Sequence, residues 1–241
     1  MKTHFAILFK SLFLGTITPL VISCTHGQTT ERLLPYIDTR MSTAASITHT
    51  AGMFGKHTEE YGQTLPAVLE PNGMNFWTPQ TGHMGDGWVY NYTANRIRGF
   101  KQTHQPSPWM NDYGQFALMP TTGAHVFRED DRASFFNHKA ETALPYYYQV
   151  YLADYDINTE LVPTERAAMF RFTFPENSQS CVVVDALDRG SSVTIIPAER
   201  KIVGYSTKNS GGVPGNFKNY FVIVFDKPFT YTAAVPNGDI R

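Results

Sequence analysis

The chain has 241 residues and a formal net charge of −1; charged residues are only 17% of it and aromatics 14%. Near-neutral charge without basic blocks argues against nucleic acid as a partner, and the low charge with abundant aromatic residues fits a secreted β protein better than a helical one. Composition takes the reading no further.

Lys2 and Lys10 bracket a basic opening, and the uncharged run from Ser11 to Ile22 follows it. That run is short of the roughly 20 residues a membrane-spanning helix needs, but it suits a signal-peptide core. It ends in Val21-Ile22-Ser23-Cys24, a pattern resembling a bacterial lipoprotein cleavage box in which Cys24 becomes the lipidated first residue. The expectation is a signal peptide over 1–23, a tether over 24–38, and a protein carried to the cell envelope as a periplasmic or outer-membrane lipoprotein. With Cys24 removed, Cys181 is left without a disulfide partner, and its place at the head of Cys181-Val182-Val183-Val184 reads as a buried, inert thiol.

Residues 39–109 are rich in Gly, Pro, His, Asn and Thr and hold all three tryptophans, Trp77, Trp88 and Trp109. A long irregular stretch of this kind reads as loops that shape a binding surface, with Asn75-Phe76-Trp77 as a core segment. From about residue 115 strands follow one another. The runs Tyr146–Leu152, Ala168–Phe174, Cys181–Ala186, Ser192–Ile196, Lys201–Tyr205 and Tyr220–Phe225 are rich in β-formers or alternate apolar and polar residues. Turn residues separate them, as in Pro175-Glu176-Asn177 and Asp188-Arg189-Gly190. Short strands with no long amphipathic helix predict an all-β sandwich over residues 39–241.

Four stretches carry a resemblance. They are Thr64-Leu65-Pro66 through Pro71-Asn72-Gly73-Met74 to Thr78-Pro79-Gln80-Thr81; RIRGFKQTHQPSPWMNDYGQFALMPTTG at 96–123; Glu160-Leu161 with Thr164-Glu165-Arg166 leading into Phe170–Pro175; and Ile202-Val203-Gly204-Tyr205 with Tyr220-Phe221-Val222 and Phe225-Asp226-Lys227-Pro228-Phe229. In order and spacing they resemble the N-terminal domain of glycoside hydrolase family 92. The resemblance implies a large supersandwich of the galactose-mutarotase type, packed in the intact enzyme against a C-terminal (α/α)₆ barrel. It also implies a calcium-dependent, inverting exo-α-mannosidase whose catalytic carboxylates and most of its calcium environment belong to the barrel. On this reading the chain lacks the barrel and the sandwich's last strands, has no catalytic residue or metal site of its own, and is inactive alone. Its partners would be mannose-containing glycans, the missing barrel of the same polypeptide, and a membrane reached through the lipid anchor.

Three residues are the expected substrate contacts. Trp88, after the Gly85-Asp86-Gly87 turn, offers a flat indole to a pyranose face and resembles the family's leaving-group platform. His104 lies where the family's typical loop carries a histidine pair; here Gln102 and Gln105-Pro106-Ser107 replace its neighbours, which changes the loop and bears on linkage specificity. Trp109 is the third. His49, His57 and His83 with Glu59 and Glu60 match no compact metal-ligand spacing and read as a solvated loop. Met53-Phe54-Gly55-Lys56, Ala67 and Asn72 stand where the family usually differs, marking an atypical member. Asp112 and Asp185 read as structural. The alternative is a freestanding glycan-binding surface lipoprotein with no catalysis.

Overall fold

The computed structural model describes residues 33–44, 64–83, 89–103, 116–176, 179–186, 190–207 and 213–232. Thirteen strands run through them: β1 Phe76–Gln80, β2 Arg96–Ile97, β3 Gly99–Thr103, β4 Ala117–Thr122, β5 Ser134–Phe135, β6 Glu141–Leu144, β7 Tyr147–Leu152, β8 Ile157–Pro163, β9 Ala168–Thr173, β10 Ser180–Asp185, β11 Ser191–Ile196, β12 Lys201–Ser206 and β13 Asn219–Val224. Among the described residues one α-helical turn, α1, covers Glu129–Arg132. Every strand pairing is antiparallel. The strands form sheets in the orders β1-β3-β4-β10, β6-β7-β8-β9 and β11-β12-β13, with β2-β5 as a short ribbon.

The two four-stranded sheets face each other, and the residue pattern explains why. In β7 and β8 every second side chain is buried, so Tyr148, Val150 and Leu152, with Ile157, Thr159 and Leu161, form one inward face. Across the gap Trp77 of β1 meets the ring of Phe170 of β9 edge-on, centroids 5.3 Å apart, and Phe100 of β3 meets Tyr148 of β7 at 6.2 Å. Side chains of this kind each contribute about 1.5–3 kcal/mol when fully buried. β4 is buried on both faces, as its continuous Ala117-Leu118-Met119 run requires. Its Pro120, which lacks an N–H, falls where pairing with β3 has ended, since β3 pairs only with Ala117 and Leu118.

The three-stranded sheet joins this core through Phe221 of β13, stacked on Phe116 with centroids 4.5 Å apart. Gly204 in β12 makes the approach possible: a Cβ there would stand 2.5 Å from both the Phe221 ring and the Ser192 carbonyl oxygen. Beside this sheet an open groove of about 2420 Å³ runs along Phe172, Phe174, Val182, Val184, Ile223 and Phe225. Tyr220, Val222 and Val224 on β13 are 68%, 62% and 69% exposed.

The predicted sandwich is therefore present, and the strands foreseen after residue 115 appear within a residue or two. The stretch 39–109 differs from a pure loop region. It contributes β1, β2 and β3, which the Pro and Gly content had hidden: Pro79 lies within β1 and Gly99 opens β3. Trp77 is buried, as its core reading requires.

Candidate functional site

The expected contacts Trp88, His104 and Trp109, and the lipidation residue Cys24, lie outside the described residues, as do His49, His57, Glu59, Glu60 and Asp112. What the fold gives is the place where each connection is rooted. β1 and β3 pair with Gln80 opposite Gly99 and Phe76 opposite Thr103. The connection carrying Trp88 leaves β1 at Gln80. The connection carrying His104 and Trp109 leaves β3 at Thr103 and re-enters at Phe116. The two roots thus sit at opposite ends of a five-residue ladder, about 14 Å apart at roughly 3.4 Å per residue.

The Gln80 end gathers four chain segments. Thr81 and Gly82 both donate backbone hydrogen bonds to the Val89 carbonyl, at 2.8 and 3.1 Å, closing the neck of the Trp88 connection. The Asn91 amide donates to Thr81 Oγ1 at 2.9 Å, and the Tyr92 amide to the Thr43 carbonyl at 3.0 Å. The Thr64 hydroxyl donates to the Met41 carbonyl at 2.5 Å. The roots of the connections 45–63 and 84–88 are therefore bonded side by side.

Two polar networks hold this end. The first centres on Glu141, whose side chain is wholly buried. Its Oε1 accepts from the Tyr148 hydroxyl at 2.6 Å and the Tyr90 hydroxyl at 3.1 Å. Its Oε2 faces His138 Nδ1 at 2.6 Å and Arg40 Nη1 at 3.4 Å. Burial, then the nearby Glu141 charge, push both phenols far above the ordinary tyrosine value. Arg40 in turn donates to Asp38 from Nη2 at 2.7 Å, and this bond holds the Asp38 carboxyl below its ordinary value. Glu141 cannot serve as an acid or base toward a ligand, because it has no exposed surface and is surrounded by four donors.

The second network runs from α1. The Arg132 side chain is 1% exposed and donates to the Asp185 carboxylate at 2.6 Å, to the Phe127 carbonyl at 2.7 Å and to the Arg98 carbonyl at 3.0 Å. Asp185, read from sequence as structural but without a visible partner, has one in Arg132. Gln80 donates to Glu129 Oε1 at 2.9 Å, and Arg98 pairs with Asp130 at 3.1 Å and also donates to the Thr81 carbonyl. His83 stands 3.5 Å from Glu129 Oε2, so its nearest acids are those of α1. Among the described residues no group of three or more His, Cys, Asp or Glu side chains is placed to hold a metal ion. Nor is any described helix long and apolar enough to cross a membrane. The Cys181 thiol is half-buried, and burial pushes it above its ordinary value, away from the reactive thiolate.

The Glu141 network is what sequence reading missed. A signal existed: Glu141 and Ala143 occupy the inward positions of β6, so an acid falls on the apolar side of an alternating strand, with His138 three residues earlier. A buried acid requires donors, but which residues supply them depends on long-range pairing.

An antiparallel two-sheet sandwich whose loop roots are braced by buried polar networks is a scaffold of the kind that presents a ligand site at one end. The model of the glycosyl hydrolase family 92 N-terminal domain matches residues 36–240, and the chain belongs to that family. It is 42% identical to the family GH92 inverting mannosidase BT2199 from Bacteroides thetaiotaomicron VPI-5482, with a TM-score of 0.76 over 86% of this chain and 27% of that one. It is 27% identical to the family GH92 alpha-mannosidase BT3965 from Bacteroides thetaiotaomicron, TM-score 0.66, over 82% of this chain and 26% of that one. The same values hold for the BT3965 complex with mannoimidazole. No curated protein sequence matches the chain. The chain spans about a quarter of the length of these mannosidase structures.

Proposed function

We propose that the chain is the sandwich part of a secreted α-mannosidase that removes terminal α-linked mannose with inversion, and that it forms one wall of the substrate cleft. The observation that carries this reading is 42% identity to an inverting mannosidase over 86% of the chain. Inverting hydrolysis needs an acid and a base carboxyl roughly 6.5–9.5 Å apart with room for water between them. Four of the described acids are engaged elsewhere: Glu141 is enclosed, Asp185 holds Arg132, Glu160 holds Arg171, and Asp38 holds Arg40. The proposal assigns the catalytic pair to the remainder of the polypeptide and holds the chain alone inactive.

Trp88 is the proposed sugar platform, rooted at the braced Gln80 end of the ladder. His104 and Trp109 are proposed contacts from the Thr103 end. Calcium, where the intact enzyme uses it, is proposed to be held by the remainder of the polypeptide. The exposed apolar face of β13 and the groove beside it are the proposed seat of further sandwich strands from the same polypeptide. Anchoring to the cell envelope through Cys24 belongs to the same proposal.

The test is mannose release from α-mannosides by the polypeptide that contains this chain, followed by proton NMR with and without a calcium chelator. The reading predicts β-mannose as the first product and loss of turnover on chelation. First-formed α-mannose would overturn inversion, and full turnover in chelator would overturn the calcium requirement.

A further inference from the structure

His138 occupies an unusual place in the Glu141 network. Its Nδ1 is 2.6 Å from the Glu141 carboxylate, and its Nε2 is 2.6 Å from the Tyr92 carbonyl oxygen. The ring is stacked on Tyr92, with centroids 3.9 Å apart and planes within 3°, while Phe136 closes its other side edge-on at 5.1 Å. Both neighbours of the ring nitrogens are therefore acceptors. A carbonyl has no hydrogen to give. The Glu141 carboxylate, already approached by Tyr148, Tyr90 and Arg40, has no use for one. A neutral imidazole carries a single N–H, so only the doubly protonated ring makes both bonds.

We propose that His138 is a proton-operated latch: the doubly protonated ring ties the Tyr92 carbonyl to Glu141, and loss of one proton releases one end of that tie. The charges around it balance in the closed form. Arg40 and His138 are positive, Asp38 and Glu141 negative, and the phenols of Tyr90, Tyr92 and Tyr148 are neutral. When Nε2 gives up its proton, Nδ1–H stays on the Glu141 carboxylate and a bare ring nitrogen faces the Tyr92 carbonyl oxygen, two acceptors in contact with no hydrogen between them. The released end is mechanical as well as electrostatic. Tyr92 holds the N-terminal segment through its amide bond to the Thr43 carbonyl, and Thr43 donates to Arg40. Opening at Tyr92 therefore loosens the segments 40–43 and 89–92 together, the two roots of the Gln80 end. Because closing takes up a proton, the latch is stronger at lower pH. This inference does not depend on the mannosidase reading.

Hydrogen exchange of the full 241-residue chain, read from about pH 5.5 to about pH 8.5 with the intrinsic exchange rate divided out, tests it. Protection of the Thr43 and Tyr92 amides is expected to fall about tenfold or more across that range, while Val150 in β7 and Thr159 in β8 stay level. In His138→Gln the profile at Thr43 and Tyr92 is expected to be flat. A level wild-type profile at these amides, or an unchanged slope in His138→Gln, overturns the proposal. Nitrogen-15 shifts of the His138 ring in the wild-type chain give a reading that needs no variant. Hydrogen on both nitrogens at about pH 5.5 is expected, and one bare nitrogen there overturns the latch.

Discussion

Arg132 and Asp185 form a part-buried ion pair, Nη2 to Oδ2 at 2.6 Å, that joins α1 to the end strand β10 of the first sheet. The Arg132 side chain is 1% exposed and its other donors reach the carbonyls of Phe127 and Arg98, so it is the peg on which three segments hang. Replacing it with methionine keeps the volume and takes the guanidinium away from the carboxylate and the two carbonyls. Arg132→Met is expected to lower stability by about 1.5–3 kcal/mol in urea denaturation, the scale for hydrogen bonds made by a charged group. Arg171 gives the contrast. It pairs with Glu160 but is 73% exposed, and Arg171→Ala is expected to change stability by about 0–1 kcal/mol.

Tyr148 is fully buried and gives Glu141 its shortest hydroxyl bond. Tyr148→Phe preserves the ring that packs on Phe100 and removes only the donor. A hydrogen bond to a charged group sets the expected loss at about 1.5–3 kcal/mol by the same measurement. A loss below about 0.5 kcal/mol would mean that the remaining donors suffice for the carboxylate.

Asp38 links the acid stability of the chain to its N-terminal segment. The side-chain bond from Arg40 holds its carboxyl below the ordinary 3.8. A depressed folded value means that the unfolded chain binds the proton more readily. The pair's contribution is therefore complete above 3.8 and is lost as pH falls through the lower folded value. Asp38→Asn should flatten the acid limb of a stability–pH curve between about pH 5 and about pH 2 and leave it nearly unchanged near neutrality relative to that limb.

In a longer polypeptide of the proposed kind, Trp88→Ala is expected to lower kcat/KM toward α-mannosides by about tenfold or more, the size of one lost aromatic stacking contact. Unchanged kinetics in a folded variant would remove Trp88 from the sugar site.

The sandwich was legible where period and composition agree. Tyr147–Leu152 is rich in β-formers and Ala168–Thr173 alternates apolar and polar residues, and both are strands facing the core. β1 and β3 were not legible, because Pro79 and Gly99 read locally as breakers while tertiary pairing makes both tolerable. The family showed itself through short motifs that lie mostly within strands β1, β3, β4, β8, β9, β12 and β13. The separation of the Trp88 and His104 roots needed the β1–β3 register, which no local pattern encodes. Likewise, Glu141 was visible as an acid on an inward face. Its partners lie up to 101 residues away in sequence, in the case of Arg40, and only folding brings them together.

The central claim is that this chain is one wall of a mannosidase cleft and not the catalyst. Mannose release from an α-linked mannoside, measured for the 241-residue chain and for the polypeptide that contains it under the same conditions, tests this most directly. The account predicts no release by the chain alone and release by the longer polypeptide. Turnover by the chain alone, or none by the folded longer polypeptide, would contradict it.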